Sequence, residues 1–144
     1  MTTMTLADIA KTMAKIDFAM MSTRSADGEI ASRPMSNNGD VEYDGDSYFF
    51  TSEDSHTVAD IQRDAVVGLT FTGQKHLLGK PGLFLAIEGR AELIREKPAI
   101  KAHWSKEIDR WFEEGFNTPG VVLIRVTAKR LHYWDGEEDG EVAV

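Results

Sequence analysis

The sequence has 144 residues, of which 42% are hydrophobic and 28% charged, and this size and composition predict a single globular domain spanning residues 1–144. The formal net charge of −8 argues against nucleic acid as a partner, because phosphate backbones bind basic surfaces. The chain has no cysteine, no apolar run of membrane-spanning length and no recognisable signal peptide. We therefore expect a cytoplasmic protein without disulfides, thiolate chemistry or a membrane partner.

Alternating apolar and polar residues predict at least six strands in hairpin order. These segments lie at 18–23, 29–35, 47–51, 65–72, 83–94, 121–126 and 128–134. Pro34 cannot donate a ladder hydrogen bond, which indicates an edge or a bulge in the second strand, and Gly89 indicates a bulge or a close backbone approach. A chain with this many strands and no βαβ rhythm predicts a mainly β fold, a closed or nearly closed antiparallel barrel with peripheral helices.

Three helices are predicted around these strands. The first covers residues 5–15, the second begins after the capping residues Ser52–Ser55, and the third begins at Pro98. One face of the third helix carries large apolar residues, which we expect to pack on the sheet, with ligand contact as the alternative. They are Trp104, Ile108, Trp111 and Phe112.

The segment from Ala31 to Ile61 has features typical of a phosphate site. Hydroxyl side chains and free backbone N–H groups meet at a predicted helix start, Ser52–Thr57, where the helix dipole favours an anion. Arg33, on a neighbouring strand, can supply a planar charge that grips a phosphate. Two alternatives remain open, because Arg33 could pair with one of 24 acidic residues and the hydroxyls could merely cap the helix.

Other kinds of site find no support in the sequence. The histidines at 56, 76, 103 and 132 lack metal-ligand spacing, and no serine lies in a nucleophile elbow. The loop at 73–82 departs from a phosphate-binding P-loop, since Pro81 stands where Ser or Thr would hold magnesium. We therefore predict no metal site, and the sequence assigns no catalytic residue.

Several short motifs, in this order and spacing, resemble the flavin-binding split barrels of the pyridoxamine 5'-phosphate oxidase-like family, in particular their bacterial general stress proteins. The motifs are Asp27-Gly28, Ser32-Arg33-Pro34-Met35, the segment from Phe49 to Val58, and Tyr133-Trp134-Asp135. The resemblance implies a split antiparallel β-barrel of the FMN-binding type. It also implies a homodimer that binds FMN, or alternatively FAD, in clefts between its subunits.

The resemblance further implies which residues hold the flavin. One group touches the flavin and its phosphate tail, another forms the phosphate cradle around a helix start, and a tryptophan near the C-terminus completes the site. The implied residues are Arg33, Pro34, Met35, Phe50, Thr51, Ser52, Ser55, His56, Thr57 and Trp134.

Two departures from the family pattern alter these expectations. His56-Thr57 stand where the family usually has two basic residues, which predicts weaker FMN binding or a different flavin. Gly136–Gly140 is acidic where true pyridoxamine-phosphate oxidases carry a basic segment that holds the vitamin, so we do not expect vitamin B6 oxidation. This acidic, turn-rich segment also predicts a mobile or solvated tail.

Three hypotheses for function follow from the resemblance. The first is a flavin-dependent oxidoreductase that acts on a small molecule. The second is a flavin-binding stress protein that sequesters or senses flavin without turnover. The third is a barrel that has lost its ligand. His56 is the one candidate acid or base beside the implied site, which favours flavin binding over a defined catalytic role.

Overall fold

A computed structural model describes residues 4–39, 41–75, 77–79 and 82–144 of the chain. The strands are β1 (Phe18–Arg24), β2 (Ile30–Ser36), β3 (Asp46–Ser52), β4 (Val66–Thr72), β5 (Phe84–Ile94), β6 (Val121–Asp135) and β7 (Glu138–Val142). The helices are α1 (Leu6–Met13), α2 (His56–Arg63) and α3 (Lys97–Ala102), with 3₁₀ segments at Lys106–Trp111 and Gly115–Asn117. Within these ranges, no helix combines the length and the apolar character needed to cross a bilayer. His76 and Pro81, from the sequence analysis, lie outside the described residues.

The seven strands form one antiparallel sheet in the order β2-β1-β4-β5-β6-β3, and β7 also pairs with β6. The two end strands, β2 and β3, approach each other without backbone pairing, so the curled sheet is an open, split barrel. The predicted split-barrel fold is therefore confirmed. Among the described strands β2 pairs with β1 alone, which agrees with the edge position indicated by Pro34.

The barrel interior is filled by the inward-facing residues of alternate strand positions. Phe49, Met21 and Ile124 are fully buried there, as the two-residue period of the strands requires. Helix α1 covers this core with its apolar face, and Thr5 begins the helix through a capping box with Asp8. The predicted first helix is confirmed, although it is shorter than residues 5–15 at both ends.

The predicted third helix is interrupted, and a single helix through Phe112 was the wrong interpretation. Helix α3 ends at Ala102, and the indole Nε1 of Trp104 donates a 2.7 Å hydrogen bond to Asp109 Oδ1, which folds the chain back on itself. Trp104 packs edge-on against Phe50, with ring centroids 4.7 Å apart. Its side chain belongs to a small second core, as predicted, whereas Trp111 on the following 3₁₀ segment is 55% exposed.

Strand β6 is continuous over the residues that we predicted as two separate strands. Its pairing with β5 shifts register between Glu88 and Gly89, because Glu88 lies opposite Arg130 and Gly89 lies opposite Ala128. Lys129 is therefore the extra residue of a β-bulge. A Cβ atom at Gly89 would lie 2.7 Å from the Thr127 carbonyl oxygen, which confirms the close backbone approach that this glycine indicated.

The acidic segment after Trp134 forms an ordered strand, which corrects the prediction of a mobile tail, while the alternative of a solvated tail holds because none of residues 136–140 is buried. Gly136 adopts a φ of 65° in the turn, and β7 then returns along β6 with Asp139 opposite Trp134. His132 Nε2 lies 2.7 Å from Asp139 Oδ2, so a charged side chain of the tail contacts the strand beside it. Gly136-Glu137 is the two-residue loop of this hairpin, and a glycine at the first loop position is a hairpin signal that the sequence analysis did not use.

Candidate functional site

A cleft of about 350 Å³ opens at the split between β2 and β3. The two strands line it with Arg33–Ser36 and Phe50–Ser52, and Thr57 from the first turn of α2 lines its polar end. The remaining wall comes from Phe18, Ile108, Trp111 and Phe112. The cleft therefore depends on the absence of pairing between the two end strands, which leaves space between them.

Most of the residues that the family resemblance implied come together in this cleft. They are Arg33, Pro34, Met35, Phe50, Thr51, Ser52 and Thr57. Three others do not line it in the single chain. Ser55 lies behind the cleft as the N-cap of α2, His56 is the exposed first residue of that helix, and Trp134 lies on the outer face of β6.

The start of α2 presents hydrogen-bond donors toward the polar end of the cleft. Ser55 Oγ accepts a 3.2 Å hydrogen bond from the Val58 amide and another 3.2 Å bond from Thr51 Oγ1. Ser55 therefore caps helix α2. Thr57 is 6% exposed, and its hydroxyl makes no hydrogen bond to the part of the chain that the structure describes. The hydroxyl and the free N–H groups of the first helical turn suit an anion.

Arg33 lines the cleft while its terminal nitrogens bond to buried groups behind it. Nη1 donates a 2.7 Å hydrogen bond to Thr23 Oγ1, and Nη2 lies 3.4 Å from Asp60 Oδ2. Thr23 Oγ1 in turn donates a 2.8 Å bond to the same carboxylate oxygen, and Arg63 Nη1 lies 3.5 Å from Asp60 Oδ1. The alternative that Arg33 pairs with a carboxylate is therefore realised, although the side chain remains part of the cleft wall.

Asp60 was missed by the sequence analysis. Its side chain is 7% exposed, so this carboxylate is buried on the inward face of α2. Val58 and Ile61 share that buried face, and an acidic residue between two core positions was the available signal. A buried carboxylate needs a cation or donors close by, which Arg33, Arg63 and Thr23 provide.

The electrostatics of the cleft are set by one cation. Within the described ranges, Arg33 is the only lining residue with a formal charge. Glu53 follows Ser52 but bonds to Arg95, whose Nη2 lies 2.9 Å from Glu53 Oε2, and this bond lowers the pKa of the Glu53 carboxyl. The cleft thus has a weakly positive polar end beside a largely apolar remainder.

The opposite wall of the cleft is aromatic. The rings of Phe18 and Trp111 meet edge to face, with centroids 6.4 Å apart and an interplanar angle of 79°. Both side chains are about half exposed, at 48% and 55%, although aromatic residues of this size usually bury more of their surface. We expected Trp111 to pack on the sheet, and it instead lines the cleft. A flat aromatic ligand would cover this exposed area.

Trp134 lies far from the cleft within one chain. Its indole stacks on His132, with centroids 4.4 Å apart, and it lies opposite Phe84 on β5. Trp134 is not among the residues that line the cleft, and three strands separate its strand β6 from β2 in the sheet order. One chain alone therefore does not combine Trp134 with Arg33.

The sequence was compared with models of protein families and with curated protein sequences. A sequence model of proteins described as pyridoxamine 5'-phosphate oxidase like matches residues 5–144. No curated protein sequence matches the chain.

Solved structures share the fold at low sequence identity. A protein from Clostridium acetobutylicum related to general stress protein 26 of B. subtilis superposes with a TM-score of 0.77 at 14% identity, over 94% of this chain and 92% of that one. General stress protein 26 from Bacillus anthracis gives 0.72 at 20%, over 92% and 95% of the two chains. A heme binding protein from Mycobacterium smegmatis gives 0.72 at 11%, over 98% of this chain and 59% of that one.

Proposed function

Because the chain belongs to the pyridoxamine 5'-phosphate oxidase-like family, we propose that the cleft between β2 and β3 binds a flavin, FMN first and FAD as the alternative. The observation that carries this proposal is the division of the cleft into an aromatic wall and a polar end. A flat ring system suits the wall, and a phosphate suits the hydroxyls, helix-start amides and guanidinium of the polar end.

The residues have separate roles in this proposal. Phe18 and Trp111 cover one face of the ring system and exclude water from it. Thr57 offers its hydroxyl to the phosphate, Arg33 supplies the charge, and Thr51 holds the helix start in place through its hydrogen bond to Ser55. A bound flavin would supply the redox chemistry, and the protein would supply binding, orientation and electrostatics.

The cleft supports binding more strongly than a defined reaction. Apart from Arg33, no described lining residue is ionisable, so the wall offers no general acid or base. We therefore propose a flavin-binding general stress protein, with a flavin-dependent oxidoreductase acting on a small molecule as one form. A protein that sequesters or senses flavin without turnover is the other.

Flavin binding is tested by the visible spectrum of the purified protein, followed by titration with FMN, FAD and riboflavin. We expect a flavin spectrum, or quenching of Trp111 fluorescence on addition of FMN, since that indole lines the cleft. Trp111→Phe is the matched variant, because it keeps an aromatic wall and removes the reporter. A colourless protein that responds to none of the three flavins would contradict the proposal. A Soret band in the visible spectrum would indicate haem as the ligand in place of a flavin. Met35 is the one described lining residue of a type that binds haem iron, and no His, Cys or Tyr accompanies it there, so the cleft itself does not favour haem.

Turnover is a separate question with a separate measurement. The bound flavin is reduced anaerobically, and its reoxidation is followed after addition of candidate small oxidants. Reoxidation that depends on an added substrate supports the oxidoreductase form. Reoxidation that no substrate accelerates supports sequestration or sensing.

We also propose a homodimer formed through the outer face of the sheet. Phe18 and Met20 on β1, and Phe84 and Trp134 on β5 and β6, are each exposed by 42–48%. The strand register places all four on one face that begins at the cleft and ends at Trp134. In a two-fold dimer the same patch meets itself, so the Trp134 end of one copy could meet the cleft end of the other. This arrangement would complete the site that a single chain leaves incomplete.

His56 provides a test of the phosphate cradle through charge. Its side chain is exposed at the first residue of α2, next to Thr57, which lines the polar end of the cleft. A fixed positive charge at this position would attract the phosphate of FMN, which riboflavin lacks. We expect His56→Arg to bind FMN more tightly than His56→Gln, with riboflavin affinity unchanged. Titrations of both variants with FMN and riboflavin measure this. Equal FMN affinities in His56→Arg and His56→Gln would remove His56 from the cradle.

A further inference from the structure

The buried carboxylate of Asp60 lies directly behind the only charged residue described in the cleft wall. It is 3.4 Å from Arg33 Nη2, and its second oxygen is 3.5 Å from Arg63 Nη1. The Arg33 side chain is 20% exposed and that of Arg63 is 43% exposed. Water therefore screens the charge of Arg33 less, and its ion pair with Asp60 is the stronger of the two. Two guanidinium groups thus share one buried negative charge.

This arrangement reduces the charge that Arg33 offers to an anion in the cleft. A phosphate attracted by Arg33 is also repelled by Asp60 immediately behind it, and the low dielectric of a buried site preserves that repulsion. A ligand without phosphate does not experience either effect. The selectivity between phosphorylated and unphosphorylated ligands therefore depends on Asp60 as well as on Arg33.

We propose that Asp60 is a specificity-determining residue that limits the affinity of the cleft for phosphate groups by partly neutralising Arg33. Asp60 acts through Arg33 and is a positioning residue, since it does not line the cleft itself. The flavin identity of the ligand rests on the proposed function above. The effect on phosphate does not, because it requires only an anion beside Arg33.

Thr23 makes this proposal testable by a conservative change. Its buried hydroxyl donates to Asp60 and accepts from Arg33, which fixes the three groups relative to one another. Asparagine at position 60 keeps an oxygen that can accept from Thr23 and Arg33 while the negative charge is removed. Asp60→Asn should therefore preserve the contacts with Thr23 and Arg33, release the exposed Arg63 side chain, and increase the positive charge at the cleft.

The experiment compares Asp60→Asn with Asp64→Asn, a matched control at the end of the same helix. Asp64 pairs with Arg24 at 3.7 Å and not with Arg33, so the control makes the same change in net charge away from the cation. FMN and riboflavin dissociation constants are measured for each protein. Protection against thermal unfolding by inorganic phosphate is measured in parallel. We expect Asp60→Asn to bind FMN about tenfold more tightly relative to riboflavin, and to gain more phosphate protection than the control.

Arg63→Gln tests the role of Asp60 by the opposite change in charge at the cleft. It keeps the proposal testable if Asp60→Asn fails to fold. Without Arg63, Asp60 neutralises Arg33 more completely, so FMN should weaken relative to riboflavin. Arg24→Gln is its control, because Arg24 pairs with Asp64. Arg63 and Arg24 are both substantially exposed, with side chains 43% and 56% accessible, so neither replacement disturbs the core.

The outcomes separate this proposal from the proposed flavin function. If no variant binds FMN but phosphate protection still follows the order Asp60→Asn, wild type, Arg63→Gln, the flavin function fails and the role of Asp60 stands. If FMN binds but its ratio to riboflavin is the same in both variants as in the wild type, the role of Asp60 is overturned and flavin binding stands. Equal shifts in Asp60→Asn and Asp64→Asn would also overturn it, because net charge alone would then explain the effect.

Discussion

Replacing Arg33 with alanine is expected to weaken FMN binding by about 10- to 100-fold while riboflavin binding changes little. A hydrogen bond to a charged group contributes about 1.5–3 kcal/mol, and about 1.4 kcal/mol corresponds to a tenfold change in affinity. Arg33 is the charged residue of the described cleft wall, and FMN carries the phosphate that riboflavin lacks. Titrations followed by flavin fluorescence, with the two ligands side by side, measure the difference.

Riboflavin provides the internal control for this variant, because Arg33→Ala also disturbs the buried contacts around Asp60. Asp60 keeps its bonds to Thr23 and Arg63, so we expect the fold to survive with reduced thermal stability. Arg95→Ala is the matched control, since it removes a cation that bonds to Glu53 rather than one that lines the cleft. Equal losses for FMN and riboflavin in Arg33→Ala would show that Arg33 does not contact the phosphate.

Introducing a charge at the centre of the exposed sheet face, by Met20→Asp, is expected to convert the proposed homodimer into a monomer. Met20 is 43% exposed and lies on β1 between Pro34 of β2 and Thr70 of β4. Burying an unpaired carboxylate in each half of a symmetric interface would cost several kcal/mol per ion, enough to weaken dimerisation by about a hundredfold or more. Light scattering coupled to size-exclusion chromatography at micromolar concentration measures the change. Flavin affinity should fall with it, because the partner then no longer covers the cleft.

Leu77→Asp is the control for this variant. Leu77 is fully exposed in the connection before β5 and lies outside the sheet face, so the same charge there should leave the dimer intact. A wild-type protein that is a stable monomer at micromolar concentration would contradict the dimer proposal. It would also remove the proposed role of Trp134, which a single chain holds away from the cleft.

The sequence predicted those parts of the site that depend on local chain geometry. The Ser52–Thr57 segment was predicted as a helix start because capping residues act over three or four positions, and α2 does begin there. Pro34 indicated an edge strand through its own backbone, since a residue without an N–H cannot donate a hydrogen bond to a neighbouring strand. Arg33 was predicted beside that helix start, and the structure places both in the cleft wall.

The remaining parts of the site depend on contacts between distant segments, which a local pattern does not encode. Phe18 and Trp111 contact each other in the aromatic wall of the cleft although they are far apart in sequence. The spacing of Trp104 and Trp111 was compatible with one helical face, but Trp104 packs inward while Trp111 lies on a 3₁₀ segment beside the cleft. Asp60 appeared to be an ordinary polar residue of a surface helix until the barrel brought Arg33 and Thr23 against it.

The short strand β7 has a consequence for solubility. One edge of β6 is covered by β5, and the other is covered by β3 along Val121–Thr127 and by β7 along Leu131–Asp135. Without β7, that second stretch would present unpaired amide and carbonyl groups to other molecules, which is a template for aggregation. The acidic side chains of β7 would also repel an approaching chain, in the manner of gatekeeper residues. A chain shortened to Asp135 would keep the residues of the cleft and lose this protection against precipitation.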